Sequence, residues 1–440
     1  MNLQSPREMS GQASAAAEAT AACASRRRID PGVLDALRGL AALYVVLDHA
    51  TALLWSGSSS LWFTDQGLPA RETGSLTFPV ANALHLSMLF GGQAVLLFFL
   101  ISGFCIHYRQ ARLLRDGDVD GSPTRFNLVS FWQRRLRRLY PPLLVGLAVT
   151  AACDGMGAVL FPRFYIDRVP SAVTNWLGVV PSLPTLLASL TFQASLVAPA
   201  FGTNVSLWSL AYEFWFYALY PVLLIVLRRR GVASMVGLAL LASAAAAVVS
   251  RLPSPLPSPA LEVVMTWGVW ALGALIAEMH VGRVRLPFPR LLGPLGLVGI
   301  LVCQLTLAYY GSNGRGAPKD LPWGISMALV LAWVVVAPPA RLVGSIERLA
   351  RWLTGLGRIS YSLYVVHLPV LALLSAGWLA SHASLPAGLE LAAFGACLAV
   401  LLGSLAWFTV ERHFVSNRRA VLRVQRAGAS PSIAVAEISA

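Results

Sequence analysis

Apolar runs of about twenty residues recur along the chain, each closed by a short connection that carries Arg, Pro or Gly. A helix of that length crosses ~30 Å of hydrocarbon. Lipid admits few other structures, because every backbone N–H and C=O must be paired inside the segment. The pattern predicts ten spans, at 33–55, 85–106, 140–160, 206–227, 233–250, 261–280, 291–310, 322–340, 359–380 and 387–410. Segment 186–200 is apolar but short and flanked by proline, so it reads as an interfacial or re-entrant piece, or as an eleventh element. There is no internal repeat. The predicted class is an all-α integral membrane protein with about ten transmembrane helices. A disordered tail is expected over 1–28, a membrane domain over 29–415 and a second disordered tail over 416–440.

Composition narrows the class. Of 440 residues, 56% are hydrophobic and 12% charged, against about 25% charged in a soluble domain. The net charge of +14 could suggest nucleic acid, but the Arg residues sit in short loops between apolar runs. That is a topological pattern. Alternate connections divide the 34 Lys and Arg into sets of 28 and six. The larger set includes the termini and the 107–139 loop, which predicts both termini in the cytoplasm and an even number of crossings. No apolar segment precedes Arg26, Arg27 and Arg28, so no cleavable signal peptide is expected. Cys23, Cys105, Cys153, Cys303 and Cys397 show no paired spacing. They read as packing residues, without a disulfide framework or a metal site.

Ionisable residues inside the apolar runs carry the functional signal, because each is costly there and usually faces a cavity. The first span holds Asp35, Arg38, Asp48 and His49. Arg38 and His49 are eleven residues apart, which places them within about 20° on one helix face and ~16 Å apart along the axis. Asp35 is one turn from Arg38 and can pair with it. The second span carries Ser102 before Gly103, a hydroxyl without the strand-to-helix elbow of a nucleophile. FWQRRLRRLYPP follows, in which Arg134 shares a helix face with Arg138 and with Arg137. Forked guanidinium groups suit phosphates, although a topogenic or headgroup-binding patch has the same composition. SLWSLAYEFWFYALYP buries Glu213 among aromatics, where it could hold Arg38 or His49 or move a proton. GRISYSLYVVHLP aligns Ser360, Tyr364 and His367 as one polar stripe, possible lining for an acceptor path or a structural hydrogen-bonding ladder. His85, His107, His280, His382 and His413 lie near predicted span ends and read as interfacial.

These segments, in this order, resemble the membrane acyltransferase-3 family, which decorates bacterial surface glycans and small molecules. The matching features are Arg38 and His49 with ten residues between them, FFLISGF, Arg135 and Arg138 with Pro141, SLWSLAYEFWFY with Glu213, and SYSLYVVH with His367. The Glu411–Arg412 ending also looks like the family's last span, although ERHF stands where relatives often have Pro. The resemblance implies an acyl-coenzyme A donor, usually acetyl-CoA, and a hydroxyl acceptor on a carbohydrate or other molecule. It implies a multi-pass protein of the bacterial cytoplasmic membrane, with no metal. Arg38 and His49 take the positions of the family's first-span pair, and Arg135 and Arg138 those of its Arg pair. Many relatives carry a C-terminal esterase-like domain that this chain lacks, so transfer is expected to finish in the membrane domain or on a separate protein.

The residues suit that chemistry. Coenzyme A is a polyanion, and its thioester must meet a hydroxyl, so arginines near the cytoplasm and a deeper base are the parts required. His49 can take the hydroxyl proton, or can itself be acylated first; sequence leaves both open. Two other classes compete. A secondary transporter would also place ionisable groups at mid-depth, but no inverted repeat is found and the Arg cluster has no task there. A lipid-binding scaffold is the third.

Overall fold

The computed structural model describes residues 32–56, 91–120, 126–168, 172–177, 181–252, 258–310, 320–382 and 384–415. Both predicted tails, Cys23 and His85 lie outside them. The described residues build ten helices that matter here: α1 (Gly32–Leu54), α2 (Gly91–Asp120), α3 (Leu128–Leu160), α4 (Leu183–Leu190), α5 (Trp208–Val249), α6 (Ser258–Val281), α7 (Leu292–Tyr310), α8 (Asp320–Val336), α9 (Ala340–Leu379) and α10 (Glu390–Ala406).

Eight helices among the described residues are long and apolar enough to cross a membrane, against ten spans expected. Two local features account for the difference. Spans 206–227 and 233–250 are two helices, taken together as α5, that meet at a non-helical Gly231 with φ 82° and so count once among the eight. Glycine alone adopts that backbone cheaply, and Arg228, Arg229 and Arg230 stand exposed just before it. The segment expected at 322–340 is α8, an apolar helix of 17 residues, at the short end of what crosses a membrane. Segment 186–200 is no span: α4 is eight residues long, and Ser182 caps it through a reciprocal bond with Thr185. At 1.5 Å per residue it reaches only ~12 Å. The chain then turns back with Phe192 and Ser195 at positive φ.

Glycines set how closely the helices approach. At Gly39 on α1 an added Cβ would fall 2.6 Å from the Leu356 carbonyl carbon of α9. A Cβ at Gly357 would meet the Asp35 backbone in return. The two backbones therefore touch, as small residues allow between helices in lipid. Ten residues further along each chain His49 meets His367, so α1 and α9 run parallel and in register. A similar contact joins α2 to α6, where a Cβ at Gly103 would overlap the Trp270 carbonyl and one at Gly273 the Leu100 carbonyl. Aromatics fill the core around this crossing, with Trp270, Phe216, Tyr217 and Tyr220 fully buried.

The α1–α9 contact makes a stability prediction. Gly39→Ala should destabilise the protein by about 1–3 kcal/mol, the usual cost of overpacking, read as a lower unfolding temperature in detergent. Gly155→Ala on α3, where a Cβ would meet open space, should cause no loss. Equal unfolding temperatures for Gly39→Ala and the parent would contradict backbone contact at this crossing.

Candidate functional site

Five helices converge on a pocket of about 580 Å³. Arg38 enters from α1, Ser102 and Cys105 from α2, Arg135 and Arg138 from α3, Glu213 and Tyr217 from α5, and Tyr361 and Tyr364 from α9. Asn127 starts α3 by accepting a hydrogen bond from the Ser130 N–H at 2.9 Å, and the second and third turns then carry the arginines. Arg135 is 4% exposed. Its guanidinium lies 5.8 Å from the centre of the Phe131 ring and 5.9 Å from that of Tyr217, a cation–π setting. Arg38 pairs with Asp35 at 3.2 Å, as the one-turn spacing predicts, and its Nη2 also donates to Cys105 Sγ at 3.6 Å.

Glu213 stands in this pocket with three guanidinium groups. Its Oε1 accepts hydrogen bonds from Ser102 Oγ, at 2.8 Å, and from Tyr217 Oη. Neither bond goes to His49 or Arg38, two of the partners that the sequence left open: tertiary packing gives the carboxylate a serine and a tyrosine. Ser102 also accepts from Trp270 Nε1 at 3.3 Å, which ties its hydroxyl into the wall.

A second cavity, about 650 Å³, shares Ile106 and Arg135 with the first. Arg109, Arg134, Asn127, Ser130 and Gln110 make it polar, and Phe126 and Tyr220 provide aromatic faces. Arg134 Nε is buried and makes no hydrogen bond among the described residues. Buried donors in that condition require an explanation.

The polar stripe of α9 divides. Ser360 bonds back to the Gly357 carbonyl at 2.8 Å and serves its own helix. Tyr364 reaches the pocket and accepts from Ser209 Oγ at 2.8 Å. Its ring centre lies 5.6 Å from that of His367. His367, with no exposure, meets His49 of α1 at 2.8 Å between Nε2 and Nδ1, and the two rings are stacked within 9°. The structure thus brings His49 and His367 together, 318 positions apart.

That contact fixes both tautomers. His367 Nδ1 lies 2.7 Å from the Tyr364 carbonyl oxygen, which can only accept, so Nδ1 carries the proton. In a neutral ring Nε2 is then an acceptor, and His49 Nδ1 must donate to it. A neutral His49 keeps its lone pair on Nε2, and its side chain is 17% exposed. A base needs both of those features.

One of the other histidines differs from its sequence reading. His107 is not interfacial: it has no exposure, with Nε2 2.7 Å from Glu278 Oε1 and Nδ1 3.0 Å from Tyr220 Oη. Arg283 donates to both Glu278 oxygens at 2.9 Å, which makes this burial tolerable. His280 is half-buried against Phe104 and Tyr108, while His382 and His413 are exposed. Glu411 is buried and accepts from the Ser362 backbone N–H and hydroxyl. Cys105, read as packing, lines the pocket beside Arg38. Only its position on the small-residue face of the second span could have suggested this.

Comparison with known proteins gives one family-wide match. A profile described as an acyltransferase domain covers residues 32–408. Among individual relatives, the acyltransferase MdmB of Streptomyces mycarofaciens is 32% identical over 139 residues, which are 32% of this chain and 30% of that protein. The O-acetyltransferase PaAT-1 of Phomopsis amygdali is 33% identical over 153 residues, 34% of this chain and 24% of that protein. The chain thus spans under a third of the length of either relative. No solved structure matches it.

The tautomer assignment can be tested directly. In protein labelled with ¹⁵N-histidine, His49 should show a protonated Nδ1 and an unprotonated Nε2 at neutral pH. His367→Phe removes the acceptor and should release that preference. A protonated Nε2 on neutral His49 in the parent would contradict the assignment.

Proposed function

The chain belongs to the membrane acyltransferase-3 family, and from that premise we propose that it transfers an acyl group, acetyl, from acetyl-CoA to a hydroxyl of a glycan or other acceptor. The protein is multi-pass, and the bacterial cytoplasmic membrane is its proposed location. Both termini and the 107–139 loop face the cytoplasm in this reading, on the charge asymmetry. The tails at 1–28 and 416–440 flank a single membrane domain over 29–415.

One observation carries the reading: two adjoining cavities, the outer polar and the inner partly apolar, share Arg135 as a wall. Coenzyme A has that division. Its phosphates suit Arg134, Arg135 and Arg138, whose forked donors match phosphate oxygens, and the adenine suits the aromatic faces of the outer cavity. The buried Arg134 Nε gains the acceptor it otherwise lacks. The flexible pantetheine arm then runs through the inner pocket past Arg38, Ser102 and Glu213 towards Tyr364, with the histidine pair beyond.

At that end His49 Nε2 accepts the proton of the acceptor hydroxyl as its oxygen attacks the thioester carbonyl. His367 holds the ring in the tautomer that makes Nε2 the base, the part a third group plays in nucleophile–base arrangements. Arg38 supplies positive charge to the same path. Glu213 keeps the three arginines from repelling one another and anchors Ser102 and Tyr217. The sulfur leaves with a proton, so the products are an ester and a free thiol. A secondary transporter, the rival class, is not favoured by any contact in the pocket, and the family match favours transfer.

The donor assignment predicts binding. Charge-assisted bonds contribute ~1.5–3 kcal/mol each, so Arg138→Ala or Arg135→Ala should weaken acetyl-CoA binding by more than about tenfold in folded, detergent-purified protein. Unchanged dissociation constants for both variants would leave the arginines as topological anchors only.

A further inference from the structure

Beside the base lies a carboxylate that the reaction as described does not use. Asp48 is 1% exposed, in the outer part of α1. Its Oδ1 is buried and accepts no hydrogen bond among the described residues. Its Oδ2 lies 4.0 Å from His49 Nε2, the ring nitrogen that the tautomer leaves unprotonated. A buried carboxylate without hydrogen bonds is costly, and within a membrane such a group is by default functional. The fold also makes room for it. Gly91, the first residue of α2, lies against Asp48, and a Cβ there would overlap the carboxyl group. The His49 ring is prevented from swinging away, because Nδ1 is held by His367.

We propose that Asp48 is the electrostatic positioning residue of His49, held there by the absence of a side chain at Gly91 to stabilise the imidazolium formed as the acceptor hydroxyl loses its proton. The inference rests on His49 acting as the general base. Before transfer, Nε2 presents a lone pair to the carboxylate, and the two do not attract. When the hydroxyl oxygen bonds to the acyl carbon, its proton moves to Nε2 and the acyl carbon–sulfur bond breaks. Nε2 then presents N–H⁺ to Asp48 Oδ2, and attraction appears. The same proton passes to the departing thiolate, which returns His49 to its neutral form. An interaction that exists only after proton transfer lowers the barrier without tightening ground-state binding. It should therefore act on kcat and leave donor KM alone.

The test uses the full chain, purified in detergent, with acetyl-CoA as the probe and free thiol release as the readout, expressed per folded molecule. Asp48→Asn keeps the shape and removes the charge. It should lower kcat by at least about tenfold, since an opposite charge at this range changes a proton equilibrium by ten- to a thousandfold, while KM for acetyl-CoA stays within about twofold. Gly91→Ala, which keeps the carboxylate but displaces it, should also lower kcat with KM unchanged. The double variant should be no slower than Asp48→Asn alone, because Gly91 acts only through the carboxylate. Parental kcat in folded Asp48→Asn overturns the proposal. So do losses that multiply in the double variant, which would mark both sites as packing. Should Asp48→Asn not fold, parental kcat in Gly91→Ala overturns it equally. Parental kcat in Asp48→Asn alongside an inactive His49→Ala removes Asp48 only, whereas parental kcat in His49→Ala removes the base itself.

Discussion

The site depends on the contact of two backbones. α1 and α9 lie so close at Gly39 and Gly357 that neither position has room for a methyl group. They run in the same direction, so the approach persists to His49 and His367, ten residues or ~15 Å further on. Hydrogen bonding between those rings needs an accuracy of tenths of an ångström, which surface loops rarely provide. Two parallel helices in contact provide it, and sites built on rigid elements hold their geometry best. The same crossing places Arg38, the neighbour of Gly39, at the inner pocket, so one helix carries both that guanidinium and the imidazole of the histidine pair.

The arginine pocket is the second constraint. Arg38, Arg135 and Arg138 face one pocket with a single carboxylate, Glu213. Like charges at this separation would be expensive in a low-dielectric interior. Aromatic faces around Arg135 and the pairing of Arg38 with Asp35 reduce that cost. The surplus of positive charge suits a polyanionic donor. Tyr364 links the two halves, since its side chain lines the pocket and its carbonyl fixes the His367 tautomer. In the proposed reaction, donor binding and proton transfer then occupy adjoining compartments.

Local periodicity revealed the helices, because lipid leaves the backbone few alternatives. It also singled out Arg38, His49, Glu213, the α3 arginines and His367, because ionisable residues stand out against an apolar run. It did not reveal their partners. His49 could have met any polar group of another helix, and that it meets His367 is a consequence of the α1–α9 register. Glu213 could have bonded His49 or Arg38; it shares a pocket with Arg38 and bonds Ser102 and Tyr217. His107 lies near a predicted span end, yet Glu278 and Arg283 draw it into the interior. Ser360 fits the polar stripe by spacing but returns its hydroxyl to its own helix. In each case long-range packing chose the partner, and helical periodicity carries no information about that choice.

The central claim is that His49 removes the hydroxyl proton while the arginines hold the donor elsewhere. Turnover and acetyl-CoA affinity, measured together on folded His49→Ala, test it most directly. General-base catalysis contributes 10²–10⁴-fold, so turnover per folded molecule should fall by at least about 100-fold. The acetyl-CoA dissociation constant should stay near the parental value, because the arginines assigned to the phosphates stand on α3, and Arg38, which shares their pocket, is already ~16 Å along α1 from the base. Parental turnover in that sample would contradict the account and pass the role of base to His367.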